Sequence, residues 1–194
     1  MTASVRQSEQ RAQWLTDLGD VGRRVGEVAG SLDRRQLDWS PPEGGWGVGQ
    51  VLEHLCLAND SYIERIRAAL HHARPRLPTD DPGWRPSLMG GWLARSITPG
   101  TRKLPAPRIF RPAPHARPGV LEAFLHGQRA LVDLVDTASR FDLFHSRTSS
   151  PVTRLIRLNL GDCFAISIVH ERRHLGQLER ICANSAFPGP AQAH

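Results

Sequence analysis

Four stretches of this 194-residue chain repeat their apolar residues at helical spacing. In the first, steps of four and three residues give an apolar stripe from Trp14 to Leu32, the pattern of a helix with one face in a core. Similar stripes predict helices over about 48–72, after Pro118, and over about 160–184. No long stretch alternates apolar and polar residues as a strand would. The pattern predicts an all-α fold, a four-helix bundle forming a single domain over 1–194.

A proline-rich segment over about 73–118 separates the second long helix from the third. Its ten prolines rule out any long element, although a short helix over 88–97 is predicted. We expect the segment to cross over the bundle with Trp84 and Trp92 as anchors. A flexible tail is expected over about 186–194, after the fourth helix.

The same segment is strongly basic. Between Trp84 and Leu121 there is no Asp or Glu, but there are seven cations: Arg85, Arg95, Arg102, Lys103, Arg108, Arg111 and Arg117. Such a segment could attract an anionic cosubstrate to the site. The alternative is that these arginines reflect the composition of the chain and are simply solvated.

Composition excludes several classes of protein. No apolar run approaches the ~20 residues of a membrane span, and the N-terminal residues lack the apolar core of a signal peptide, so we expect a cytoplasmic protein without a membrane partner. The three cysteines show no CxxC spacing and predict neither a disulfide framework nor a zinc knuckle. The net charge is +6, but the chain has no helix-turn-helix or zinc-finger pattern, which argues against nucleic acid as a partner.

Three histidines lie on apolar helical stripes, at positions where a core would prefer Leu or Ile. His170 and His174 are spaced i, i+4, so both rings leave one face of the fourth helix, and His54 lies on the inner stripe of the second. Buried imidazoles without partners are costly, and a shared metal ion would satisfy all three. Three ligands would leave a coordination position open, as in catalytic metal sites. The alternative is three separately hydrogen-bonded core histidines.

Polar neighbours of the histidines are candidates for supporting roles. The run from His170 to His174 spells H-E-x-x-H, but the later ligands of the zinc proteases with that motif are missing, so we reject that interpretation. Glu171 is a candidate catalytic residue that lies either beside the site or towards water. Gln50 and Gln177, each one turn from a histidine, could orient the ligand rings or could be ordinary surface polarity.

These residues resemble the DinB-like (YfiT-like) superfamily of metalloenzymes, which includes bacillithiol transferases and mycothiol-dependent isomerases. The resemblance is carried by Trp46-x-Val48-x-Gln50-Val-Leu-x-His54-Leu, by His170-x-x-x-His174-Leu-Gly-Gln177 and by the proline-rich run from Lys103 to Pro112. It implies an up-down-down-up bundle with a long crossover, a Zn or Ni ion on the three histidines, and a homodimer.

The sequence therefore favours a metal-dependent enzyme that acts on a small electrophilic substrate, as a hydrolase or as a thiol transferase. In the second case a low-molecular-weight thiol is the expected cosubstrate. The alternative is a non-catalytic metal-binding domain with a role in stress response.

Overall fold

The structure is a computed structural model that describes residues 4–77, 79–101 and 105–190. Most of these residues are helical. The helices are α1 (Gln7–Ala29), α2 (Arg34–Asp38), α3 (Val48–Leu70), α4 (Leu88–Ser96), α5 (Val120–Ala138) and α6 (Leu160–Cys182), with a 3-10 turn over Arg108–Phe110. The strands are β1 (Val5–Arg6), β2 (Gly83–Trp84), β3 (Arg147–Ser149) and β4 (Arg157–Asn159).

The four long helices form the predicted bundle. Both α1 and α3 pack against α5 and α6, which places α1 and α3 at opposite corners. The residues predicted to fill the core are all buried: Trp14, Leu18, Val25, Leu55, Ile66, Phe124, Leu131, Leu178 and Ile181. None of the helices in the described part of the chain is long and apolar enough to cross a membrane.

The four short strands form two antiparallel pairs. Val5 of β1 pairs with Trp84 of β2, and Thr148 of β3 pairs with Leu158 of β4. Strands of two or three residues are too short to show an alternating pattern, which is why the sequence did not predict them.

The proline-rich connection is anchored by one tryptophan rather than two. Trp84 is buried, lies edge-on to Trp14 at 5.0 Å between ring centroids, and donates a 3.1 Å hydrogen bond to the Asn159 side chain. A Cβ at Gly161 would lie 2.1 Å from the Trp84 indole nitrogen, so this contact requires a glycine there. Trp92 is 53% exposed, and its predicted role as an anchor is wrong.

The chain after α6 contacts α2. The Phe187 ring lies edge-on to Trp39, Gln36 donates to the Pro188 carbonyl, and Arg35 donates to the Gly189 carbonyl. Residues 187–189 thus make contacts within the tail that the sequence predicts to be flexible over about 186–194, and residues 191–194 lie outside the described part of the chain. The flexibility of the tail stays a prediction.

Candidate metal centre

The three predicted ligand histidines lie together at the contact between α3 and α6. One ring nitrogen from each of His54, His170 and His174 lies within 4.8 Å of the other two. The ring centroids are 4.9 Å apart for His54 and His170, 4.7 Å for His54 and His174, and 4.6 Å for His170 and His174. The rings therefore form a nearly equilateral triangle.

A main-chain carbonyl orients the His54 ring. The Nδ1 atom of His54 lies 2.6 Å from the carbonyl oxygen of Phe110, which is buried at the end of the 3-10 turn. Because a carbonyl oxygen only accepts, the neutral ring carries its proton on Nδ1 and leaves a lone pair on Nε2. That Nε2 atom lies 3.0 Å from the Nε2 atom of His170.

Gln177 orients the His174 ring in the same manner. Its Oε1 atom lies 2.9 Å from the Nδ1 atom of His174, which frees the Nε2 lone pair. The hydrogen bonds of Gln50 lead elsewhere: its Oε1 accepts from the Gly47 backbone at the start of α3, and its Nε2 donates to the Ala113 carbonyl. The partner of the His54 ring is the Phe110 carbonyl, which no side-chain pattern in the sequence could have indicated.

Burial keeps the three imidazoles neutral. It lowers the pKa of His54, an effect that the bond to Phe110 partly opposes. The pKa of His170 lies well below its usual range, mainly because the ring is buried and then because of its electrostatic interactions with His174, His54 and Arg173. Burial and then His54 lower the pKa of His174 to about 3. All three rings are therefore unprotonated on their ligand nitrogens near pH 7, as metal binding requires.

The donor set fits a divalent metal ion. Bonds of ~2.0–2.1 Å in tetrahedral geometry would place two ligand nitrogens ~3.3 Å apart, close to the 3.0 Å between the Nε2 atoms of His54 and His170. Two imidazole nitrogens at that distance need a proton or a cation between them. Imidazole nitrogens suit zinc, nickel, copper and iron alike, so the ligand types do not select among these ions.

Arg173 supplies positive charge beside the cluster. It donates to the Thr98 carbonyl at 2.9 Å and to the Thr101 hydroxyl at 2.7 Å, which ties the chain after α4 to α6. Its charge contributes to the lowered pKa values of His170 and His174. Sequence reasoning did not single out this residue, although its place directly before His174 was a signal.

The structure does not bring the described arginines of the basic connection together at the cluster. Arg85 lies over the Phe144 ring, Arg111 donates to the Ala106 carbonyl, and Arg117 pairs with Glu53. Arg95 and Arg108 are exposed, and the predicted candidates Arg102 and Lys103 lie outside the described residues.

Glu171 points into the bundle and does not face water. Its side chain is fully buried, its Oε1 accepts from Asn59 on α3, and its Oε2 accepts from Gln128 on α5, both at 2.8 Å. Burial raises the pKa of Glu171 to about 7. The sequence carried a signal for the two amides, since each is a polar residue within an apolar helical pattern.

Comparison with known proteins agrees with this description. The family model of the DinB superfamily matches residues 17–178. The chain is 30% identical over 73 residues to a protein of Oceanobacillus iheyensis and 32% identical over 78 residues to YfiT of Bacillus subtilis. Both relatives are named for a proposed metal-dependent hydrolase activity. The matches cover 37% and 39% of this chain, but only 42% and 43% of the relatives.

A solved structure extends the likeness in fold. The structure of YfiT from Bacillus subtilis, described as having an unusual four-helix bundle topology, matches with a TM-score of 0.56. The match covers 90% of this chain and 87% of that one at 17% sequence identity. At that identity the likeness concerns the fold alone.

Proposed function

The chain belongs to the DinB superfamily, and from this premise we propose that it is a metal-dependent hydrolase of a small-molecule substrate. The observation that carries the proposal is the convergence of three neutral imidazoles. In His54 and His174 the Nδ1 atom makes a hydrogen bond, so that Nε2 can face the ion. Three protein ligands would leave coordination positions for water and substrate, as in hydrolytic metal sites. The proposed activity in the names of the relatives agrees with this chemistry.

His54, His170 and His174 would hold the ion, and we propose zinc or nickel. When bound, such an ion supplies Lewis acidity, which activates water near neutral pH and polarises a carbonyl group. The Phe110 carbonyl and the Gln177 side chain fix the tautomers of His54 and His174, so both rings present Nε2 without rearrangement.

The surroundings favour an anionic substrate or a reaction that develops negative charge. Arg173 is held beside His170 and His174 by the two threonines after α4, and a fixed cation stabilises negative charge that forms nearby. Trp46 lies 4.8 Å from His54 between ring centroids and provides an apolar side wall.

Thiol transfer is the competing reaction at the same site. An ion on three imidazoles also favours the thiolate form of a low-molecular-weight thiol, which could then attack a small electrophile. Non-catalytic metal binding in a stress response is the further alternative. The three functions share the histidines and differ in what reacts there.

The first experiment is metal analysis of the purified protein, followed by titration of chelator-treated protein with Zn²⁺ and Ni²⁺. We expect one ion per chain in the wild type and none in His170→Ala. His126→Ala is the matched control, because His126 lies exposed on α5, away from the cluster. A His170→Ala protein that keeps one tightly held ion would contradict the ligand assignment.

The second experiment separates the reactions. Metal-loaded and chelated proteins are assayed against ester, amide and lactone substrates, and against an aryl halide with several low-molecular-weight thiols. A hydrolase turns over the first panel without added thiol, and a transferase consumes the halide only with a thiol present. Stoichiometric metal without turnover in either panel would favour the binding function.

A further inference from the structure

A buried hydrogen-bonded layer joins three helices directly beside the histidine cluster. Glu171 lies between His170 and His174 in the sequence of α6, and its two carboxylate oxygens accept separately from Asn59 and Gln128. The three side chains are at most 5% exposed. Water therefore does not compete for either hydrogen bond.

The layer has a property that a purely apolar core lacks, because it specifies one register of the helices. A shift of α6 by one residue would move Glu171 by ~1.5 Å and turn it by ~100°. Both hydrogen bonds would be lost, and a buried carboxylate would be left without partners, which is strongly unfavourable. Apolar contacts change far less on such a shift, because they are not directional.

The hydrogen bond from Asn59 to Glu171, here called the Asn59 arm, joins the two helices that carry the histidines. Asn59 lies five residues after His54 on α3, and Glu171 directly follows His170 on α6. The arm to Gln128 leads to α5, which carries no histidine of the cluster. The two hydrogen bonds are alike in length and burial but differ in whether they connect ligand to ligand.

We propose that Glu171 is a positioning residue, whose bond to Asn59 sets the register of α6 against α3 so that His170 and His174 meet His54. This inference rests on the proposed metal-binding function. In this role Glu171 positions the metal-ligating helices in the protein without substrate. The two arms have different tasks, since the Asn59 arm holds the cluster together and the Gln128 arm holds the bundle.

The test compares the two arms. Asn59→Ala and Gln128→Ala each remove one buried donor to the same carboxylate, and the Gln128 change removes the larger side chain. We expect Asn59→Ala to weaken Zn²⁺ affinity ~10–100-fold, the range for partners that orient ligands, and Gln128→Ala to change it less than about 3-fold. Affinity is measured by competition with a chromophoric chelator. The visible spectrum of bound Co²⁺ gives a second readout, which should change for Asn59→Ala alone.

Substitutions of Glu171 test whether geometry or charge is responsible. In Glu171→Gln, the new amide can accept from Asn59 and donate to Gln128, whose Oε1 has no partner in the described structure and can turn to accept. We expect this conservative variant to keep Zn²⁺ affinity within about 3-fold of the wild type, and Glu171→Ala to resemble Asn59→Ala. Circular dichroism checks that each variant is folded; if Asn59→Ala is not, Asn59→Leu, which has the same branched arrangement of side-chain heavy atoms, replaces it.

The outcomes separate this inference from the proposed function. Wild-type protein that binds none of Zn²⁺, Ni²⁺ and Co²⁺ overturns both. Wild-type binding together with equal losses in Asn59→Ala and Gln128→Ala overturns only the positioning role, because affinity then follows general damage to the core. Equal losses in Glu171→Gln and Glu171→Ala also overturn it, since the carboxylate charge would then be responsible.

Discussion

Glu171→Gln is expected to stabilise the metal-free protein at pH 8 and to change its stability much less at pH 5. The substitution keeps the size of the side chain and can keep both hydrogen bonds, but it removes a group that ionises inside the bundle. Chelator is present throughout, so bound metal does not contribute.

The magnitude follows from the position of Glu171. Burial raises its pKa from 4.5 to about 7. Between these values the folded protein holds a proton that the unfolded chain has released. The contribution of this proton to the free energy of unfolding is therefore complete below pH 4.5 and is lost as the pH rises through about 7. At ~1.4 kcal/mol for each pKa unit, the ionised carboxylate costs on the order of 3 kcal/mol above pH 7.

Urea unfolding at pH 5, 6, 7 and 8 measures the effect. The advantage of Glu171→Gln over the wild type should grow by about 2–3 kcal/mol between pH 5 and pH 8, because most of the proton release falls in that interval. The histidines are present in both proteins, so their own proton uptake cancels in the difference. Glu64→Gln, at an exposed carboxylate on α3, is the control and should follow the wild type.

A constant difference between Glu171→Gln and the wild type across this pH range would refute the reasoning. It would mean that the two amide donors, rather than burial, decide the ionisation of Glu171. The expected pH-dependent advantage of Glu171→Gln would show that the wild-type carboxylate lowers stability at neutral pH while both of its oxygens accept hydrogen bonds. That result agrees with a role in helix register, because a buried polar group that specifies a structure can lower its stability.

Four further outcomes are expected. His174→Ala should lose stoichiometric metal and keep its helical circular dichroism, whereas the exposed His126→Ala should keep both. Metal-free Glu171→Gln, in which residue 171 cannot titrate, should lose stability as the pH falls below ~6.5 in urea unfolding, because the histidines take up protons in the unfolded chain but not in the folded protein, where their pKa values are lowered. Gly161→Ala should destabilise by about 1–3 kcal/mol and shift tryptophan emission, since the new Cβ would overlap the Trp84 ring. The homodimer that the family resemblance implies should appear at twice the chain mass in sedimentation equilibrium, and a single-chain mass at all concentrations would contradict it.

Apolar spacing was sufficient to place the long helices. The second and fourth were predicted to begin at about residues 48 and 160, and they begin at Val48 and Leu160. These starts are well defined because the stripes begin beside turn or capping residues, such as Asn159, whose side chain accepts from the Asp162 backbone. The ends of the second and fourth helices were predicted two residues too late.

The same spacing placed three histidines on inner faces, but it could not give their partners. The acceptor on His54 is a main-chain carbonyl, and every residue type presents the same carbonyl. The direction of Glu171 was likewise undetermined, because one residue after an inward-facing histidine lies near the boundary between core and solvent. Only the packed structure, with Asn59 and Gln128 opposite, decides it.

The described residues of the proline-rich connection contact the ligand-bearing helices through oxygen atoms. The Phe110 carbonyl holds the His54 ring, the Ala113 carbonyl holds Gln50 at the start of α3, and Thr98 and Thr101 hold Arg173 on α6. The connection thus contacts both helices that carry the histidines. Fixed backbone angles at prolines suit this task, since a carbonyl that orients a ligand ring must itself be held in place. These contacts explain how the connection supports both ligand-bearing helices, and the attraction of an anionic cosubstrate by its arginines stays a prediction.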